Sequence, residues 1–398
     1  MGQTRDRRPR GAAGPAFSRG DHSRFGRWFW TIDKTLLLLM LALIAAGITA
    51  VAAASPVAAR RLSGGNVQLD DLHYLYRQLQ WVALGLPLML ATSMLNIRQL
   101  KRAAVAGTLL CLLALLAVPF IGGGTNGAAR WIQLPGFQLQ PSEFFKPCFI
   151  ITTAWLLSLK VEDGSLPAMQ ISATLLAMAL ICLIAQPDVG QSALISLVWL
   201  AQATLAGLSL TIIGLLAVVG VVGLVLAYHN LGHFAARIDK FVSGSGDTSQ
   251  IDRALDCFRA GGLFGTGPGE GRMKFRLPEA QTDYIFSVIG EEFGLIACFM
   301  LAGLFIALVV RALLLAMEEE DPFIFLAVSG LAVQFGLQAM INMLVNLSLL
   351  PSKGMTLPFI SHGGSSFLAI SLGAGLLLAL TRCNPFLKGR PWAKGALA

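Results

Sequence analysis

Ionisable side chains are scarce in this chain, and away from its ends they gather in a few short segments. One is Leu277-Pro-Glu-Ala-Gln-Thr-Asp-Tyr-Ile-Phe286, which places Asp283 at the mouth of an apolar run, with Glu291 and Glu292 two turns deeper. Three carboxylates so close to one apolar helix are costly in lipid, so they must face a polar cavity or pair with Lys or Arg. The plainer reading of Asp283 is a helix cap. A second segment runs from Asn126-Gly-Ala-Ala-Arg-Trp131 into Gln140-Pro-Ser-Glu-Phe-Phe-Lys146. Glu143 and Lys146 stand three residues apart and can pair on one helical face. Arg130 beside Trp131 suits a headgroup layer. A third, Gln186-Pro-Asp-Val-Gly190, offers Asp188 as an N-cap or as a carboxylate at the membrane face. The fourth, Asn346 to Ser366, carries two prolines and three glycines inside an apolar region. It predicts a broken or re-entrant segment, tolerated only where protein or a water-filled cavity covers it, with Lys353 and His362 lining that cavity.

A glycine-rich stretch, Gly261 to Gly271, imitates a nucleotide loop but has neither the GxxxxGK[ST] spacing nor a GxGxxG between a strand and a helix. With no Walker A motif anywhere, ATP hydrolysis is not expected; the glycines suit close approach of backbone N–H groups to a phosphate or a membrane surface. The six cysteines contain no CxxC pair, which argues against a zinc or redox motif.

The elements that must position these residues are membrane helices. The chain is 55% hydrophobic and only 13% charged. Apolar runs recur near 35–55, 79–96, 103–121, 144–158, 167–186, 190–207, 209–229, 284–316, 323–348 and 364–381, without strand-like alternation. The expected fold is an all-α integral membrane protein of about ten transmembrane helices. The first run is longer than a signal-peptide core and is expected to be retained. Arg98, Lys101, Arg102, Lys160 and Arg311 fall on one side with the basic N-terminus and the basic tail. The positive-inside rule assigns that side, and both termini, to the cytoplasm of a bacterial inner membrane. The net charge of +8 thus reads as topology rather than nucleic-acid binding. Residues 1–30 are expected to form a basic, disordered tail, 31–384 the membrane domain and 385–398 a second tail. The large loop, 230–283, is expected between helices seven and eight on the periplasmic side. In it, Ile251, Leu255 and Phe258 repeat at helical spacing, predicting a short amphipathic helix that ends at Gly261-Gly262.

Taken together, these segments resemble the SEDS family (shape, elongation, division and sporulation), over most of residues 30–385. Pro351-Ser-Lys-Gly-Met-Thr-Leu-Pro-Phe-Ile-Ser-His-Gly-Gly-Ser-Ser366 is similar to the division form rather than the elongation form. Two positions depart from the usual pattern: Gln281 stands for a histidine and His362 for a tyrosine. The resemblance implies a peptidoglycan glycosyltransferase that polymerises lipid II on the periplasmic face at the septum. It would work with a class B penicillin-binding transpeptidase and other division proteins. Asp283 matches the family's central aspartate, as catalytic base or as ligand of a divalent cation such as Mg or Mn. Glu143, Lys146, Asp188 and Lys353 fall on other motif positions. An inverting transfer needs a base near the acceptor hydroxyl and positive charge for the departing diphosphate. Arg130, Lys146, Arg253, Lys353 or a cation could supply that charge, with His362 lining the site. The alternatives are a lipid II flippase using the same cavity and a scaffold whose site is silent.

Overall fold

In the computed structural model the described residues are 24–63, 69–121, 130–134, 137–162, 164, 166–230, 232, 235, 239, 249–351 and 354–382. Ten long helices occupy the ten predicted runs: α2 (Lys34–Leu62), α3 (His73–Ser93), α4 (Ile97–Ile121), α5 (Pro141–Glu162), α6 (Ala168–Ala185), α7 (Val189–Leu205), α8 (Leu210–Asn230), α10 (Ile285–Met317), α11 (Pro322–Asn346) and α12 (Gly364–Leu380). Seven of them are long and apolar enough to cross a membrane by themselves; α7 and α12 are apolar but shorter. The amphipathic helix expected in the large loop is α9 (Ser249–Gly261), followed by a 3₁₀ turn at Met273–Arg276.

Two details depart from the sequence reading. The stretch read as an N-terminal tail ends in a helix, α1 (Arg24–Thr31), where Trp28 is buried and donates its indole N–H to Ser93 at 2.7 Å. Residues 1–23, like 383–398, lie outside the described residues. The helical fold also carries a small hairpin that the sequence reading did not place, in which β1 (Ile132–Leu134) and β2 (Phe137–Leu139) pair antiparallel with Gln133 opposite Gln138. Three-residue strands carry too little alternation to be read from a sequence.

Missing side chains bring the helices together. A Cβ on Gly85 of α3 would strike Phe367 and Ser371 of α12, and one on Gly375 of α12 would strike Thr92 and Met89 of α3. Close approach through small residues is how membrane helices associate when lipid removes the hydrophobic drive. Polar contacts gather one end of the bundle. Asp33 caps α2 at Leu36 N (2.8 Å) and accepts from Arg311 of α10 at 2.6 Å. Asp321 caps α11 at Phe323 N (2.9 Å), and Arg382 donates to the Leu95 carbonyl at 2.7 Å. Lys101 lies 4.0 Å over the Phe323 ring, so Lys101, Arg311 and Arg382, three of the basic residues that the sequence assigns to one side, gather at this end.

At the other end, α9 lies against the first turns of α10. Phe258 meets Phe286 at 5.7 Å between ring centroids, and Gly290 leaves room for the Phe258 ring. The α10 ladder breaks at Gly294, whose φ of 78° and ψ of 177° are far from helical. The turn after α9 repairs the break: Leu295 and Ile296 N–H donate to the Gly262 and Leu263 carbonyls (3.0 and 3.2 Å), and Thr266 and Gly267 N–H donate to the Glu291 and Glu292 carbonyls (2.9 and 3.1 Å). The carboxylates of Glu291 and Glu292 thus turn out to be structural. Glu291 accepts from the N–H groups of Met273 (2.6 Å) and Lys274 (2.7 Å), and Glu292 pairs with the buried Lys274 ammonium, which also donates to the Ala53 carbonyl at 2.9 Å.

Two consequences are measurable. Gly294→Ala puts a Cβ into positive-φ backbone against Gly265 and Leu263, at a cost of about 1–3 kcal/mol of strain. Hydrogen exchange should rise at the amides of Leu295, Ile296, Thr266 and Gly267 and stay unchanged around Asp33. Lys274→Met strands Glu292 as an uncompensated buried charge, a loss of about 3–5 kcal/mol. The double change Lys274→Met with Glu292→Met should recover most of the lost thermal stability in detergent.

Candidate active site

The sequence motifs converge on one cavity of about 720 Å³. Its walls include Asp283 and Glu279 from the turn before α10, Arg77 and Trp81 from α3, Arg130, Trp131, Gln133 and Gln138 around the hairpin, Glu143 from α5, and Thr356 to Ser366 on the segment entering α12. That segment is irregular backbone, as predicted, with Met355, Leu357, Phe359 and Ile360 buried in protein. A Cβ on Gly47 of α2 would strike the Phe359 carbonyl, so α2 passes directly against it.

Asp283 is not a cap. Tyr284 occupies the N-cap of α10 and makes no side-chain cap bond, while the Thr282 hydroxyl bonds to Glu279. The turn that carries Asp283 is pinned instead. Its carbonyl accepts from the side-chain amides of Asn342 (3.0 Å) and Asn346 (2.9 Å) of α11. Asn346 Oδ1 in turn accepts from the Ser287 backbone N–H and hydroxyl at 3.0 and 2.8 Å. On the facing side the Ser361 hydroxyl donates to the Thr282 carbonyl at 2.6 Å, and His362 N–H donates to the Gln281 carbonyl at 2.8 Å. Gly354 closes on the carboxylate itself: a Cβ there would stand 3.4 Å from Asp283 Oδ2.

Glu143 and Lys146 pair at 2.7 Å and are almost completely buried. Glu143 also accepts from Gln191 of α7 at 2.7 Å, and Lys146 donates to Gln338 of α11 at 3.2 Å. Gln338 passes the chain on to the Thr356 carbonyl at 3.1 Å, and the Thr356 and Ser366 hydroxyls meet at 2.6 Å. Lys146 therefore stands behind the wall, and only Glu143 of the pair borders the cavity. Asp188 likewise stands behind it. It is the N-cap of α7, accepting from Gln191 N at 3.3 Å, and burial pushes its carboxyl up from the ordinary range, partly offset by Arg130. Arg130 donates to the carbonyls of Gln186 (3.1 Å) and Pro187 (2.5 Å), which fixes the turn before Asp188, and it also lines the cavity.

His362 lies between α11 and α12 with its Nδ1 at 3.1 Å from Gln78 Oε1 and its ring edge-on to Tyr74. Burial, reinforced by Arg77 and His73, pushes its pKa down to about 4. The ring is neutral at physiological pH and brings no charge to an anionic ligand. Arg253 is not part of this site. It donates to the Arg276 carbonyl at 2.8 Å and borders a separate cleft with Asp256, Met273 and Arg276. Lys353 lies outside the described residues.

Several contributors escaped the sequence reading, Arg77, Gln338 and Asn342 among them. Arg77 sits at the start of an apolar run, where a basic residue looks like an interfacial anchor. Gln338 and Asn342 are single amides within α11, and their only signal is their i, i+4 spacing with each other and with Asn346. A hard cation would find oxygen donors in this cavity. Among the described residues, however, no three His, Cys, Asp or Glu side chains converge, so Mg or Mn would lean on Asp283 and on phosphate oxygens of its ligand.

The family described as "Cell cycle protein" (FtsW/RodA/SpoVE) matches residues 34–384. A probable peptidoglycan glycosyltransferase FtsW from Caulobacter vibrioides is 44% identical over 372 residues, covering 93% of this chain and 94% of the relative. Its counterpart from Trichlorobacter lovleyi is 39% identical over 362 residues, covering 88% and 93%. Among solved structures, one described as "Structural coordination of polymerization and crosslinking by a peptidoglycan synthase complex" superposes with a TM-score of 0.71 at 27% identity, over 88% of this chain and 97% of that one. The rod shape determining protein RodA of Thermus thermophilus superposes with a TM-score of 0.62 at 28% identity, over 88% and 96%. The membrane fold, the order of the motifs and these relatives lead to one assignment: the chain belongs to the FtsW/RodA/SpoVE family of cell cycle proteins, the SEDS family that its motifs resemble.

Proposed function

We propose that this protein is a peptidoglycan glycosyltransferase of cell division, which polymerises lipid II into β-1,4 glycan strands. The observation that carries the reading is the meeting of Asp283 with Arg77 and Arg130 in one cavity, walled by Trp81, Trp131 and a series of amides and hydroxyls. Such a wall suits a sugar diphosphate: aromatic faces and amides for the sugars, guanidinium groups for the phosphates.

In the reaction, the 4-hydroxyl of the acceptor sugar attacks the anomeric carbon of the donor, and the bond from that carbon to the diphosphate breaks. Asp283 takes the hydroxyl proton as the new bond forms, an assistance worth roughly 10²–10⁴-fold. The departing diphosphate gathers negative charge, which Arg77 and Arg130 offset from fixed positions. The donor is already activated, consistent with a chain that has no ATP motif. A divalent cation, if one binds, would add charge compensation at the diphosphate. Inversion follows from displacement on the face opposite the leaving group.

The reading sets the cavity on the periplasmic side and both termini in the cytoplasm, supported by the clustering of short-loop cations at the Asp33–Arg311 end. The partner is a class B penicillin-binding transpeptidase, supported by the kinship with a chain from a peptidoglycan synthase complex.

Glycan synthesis from lipid II by the purified protein, with and without that transpeptidase, is the decisive assay. Asp283→Asn should keep a normal thermal midpoint and lose roughly 10²-fold or more in rate. Retention of most activity by that variant would remove Asp283 from the mechanism, and movement of lipid II across vesicles without polymer would favour a flippase. Arg130→Gln should lower kcat/KM by roughly 10²-fold. Arg130→Lys should recover only part of this, because an ammonium cannot reproduce the fork that holds Gln186 and Pro187.

A further inference from the structure

The turn after α9 leaves two large apolar side chains uncovered: Leu263 is 60% exposed and Phe264 81%. Its depth can be read from the helices beside it. Ser287 of α10 is level with Asn346, to which it bonds, and Arg311 is level with Asp33 at the other end. The length of α10 between these two levels is about 36 Å at 1.5 Å per residue. A hydrocarbon core of about 30 Å centred between them leaves about 3 Å at each side. Leu295 and Ile296, which bond to the Gly262 and Leu263 carbonyls, lie about 13 Å below the Ser287 level. That puts the turn about 10 Å inside the core. A second helix agrees: Ala53 of α2, whose carbonyl accepts from Lys274, stands about 30 Å from Asp33, level with Glu291 and Glu292. Tilting the bundle shortens all these lengths together.

Backbone can enter hydrocarbon only when its polar groups are satisfied within the protein. Much of the turn is paired in this way. The carbonyls of Gly262 and Leu263 and the N–H groups of Thr266 and Gly267 are bonded to the broken rung of α10, and Gly265 N–H donates to the Gly261 carbonyl at 2.8 Å. Exposed apolar side chains follow on α10 past the same rung: Ile296 is 44% exposed, Phe299 74% and Met300 68%.

We propose that the Leu263–Phe264 turn is a wedge in the bilayer, its two side chains among the acyl chains of the leaflet on the Asp283 side. The wedge is bonded to α10 between Glu291 and Ile296, about two to four turns from Asp283. It therefore fixes the height of the cavity above the lipid. This inference does not depend on the enzymatic reading.

The test is photocrosslinking in the full-length protein. Phe264→p-benzoylphenylalanine, an exchange at an exposed site, is reconstituted in nanodiscs of phosphatidylethanolamine and phosphatidylglycerol and irradiated. The expected result is a mass increase of one phospholipid, with fragmentation placing the attachment on an acyl chain. The same probe at Asp252, exposed near the start of α9, should give no acyl adduct. Acyl adducts at both sites alike, no lipid adduct at 264, or capture there of only a second polypeptide would each overturn the proposal.

Discussion

The Asp283 carbonyl is the point on which the site hangs. Two buried amides, Asn342 and Asn346, donate to it from one face of α11, and Asn346 ties the same turn to Ser287. In a low-dielectric interior such bonds are strong while made and expensive to leave unmade. An amide inside α11 therefore has few alternatives to holding this turn. The other amides of the stripe extend the effect: Asn342 also holds Met355, and Gln338 holds Thr356. One helix thus fixes both the carboxylate and the loop opposite it, and the cavity between them has walls that cannot drift apart independently.

The Glu143–Lys146 pair takes its meaning from the same stripe. A buried ion pair adds little net stability over apolar side chains of similar size, so stability alone is a weak reason for it. Its neighbours give a better one. Lys146 orients Gln338 from behind, and Glu143 orients the side chain of Gln191, whose backbone N–H donates to the capping carboxylate of Asp188. The pair links α5, α7 and α11 beside the cavity. Arg130 does the same at the rim by fixing the Gln186–Pro187 turn.

Much of this was legible in the chain. Glu143 and Lys146 announce themselves by spacing, α9 by its periodicity, and the irregular segment before α12 by prolines and glycines in an apolar region. The pattern of apolar runs predicts the helices one by one. What escaped did so for physical reasons. Lys274 looks like an ordinary loop cation, because its partners Glu292 and Ala53 come from distant elements. Asp283 looks like a cap because caps and carboxylates that line a cavity both stand at helix starts. Arg253 looks like a ligand for phosphate because charge, unlike position, is visible in sequence. Gln338 and Asn342 are invisible for the opposite reason, as uncharged groups within an apolar run.

The arrangement of polar partners also has a history in time. Glu143 and Lys146 lie three residues apart and neutralise each other as soon as α5 forms. The other contacts are not local: Lys146 and Gln338 are separated by 192 residues and Asp33 and Arg311 by 278. During synthesis, α2 and α5 enter the membrane long before α10 and α11 exist. Their polar groups must be carried by water, lipid headgroups or the insertion machinery in the meantime. The bundle closes electrostatically only when its last helices arrive, so a chain released early would expose an incomplete polar seam, a ready signal for membrane quality control.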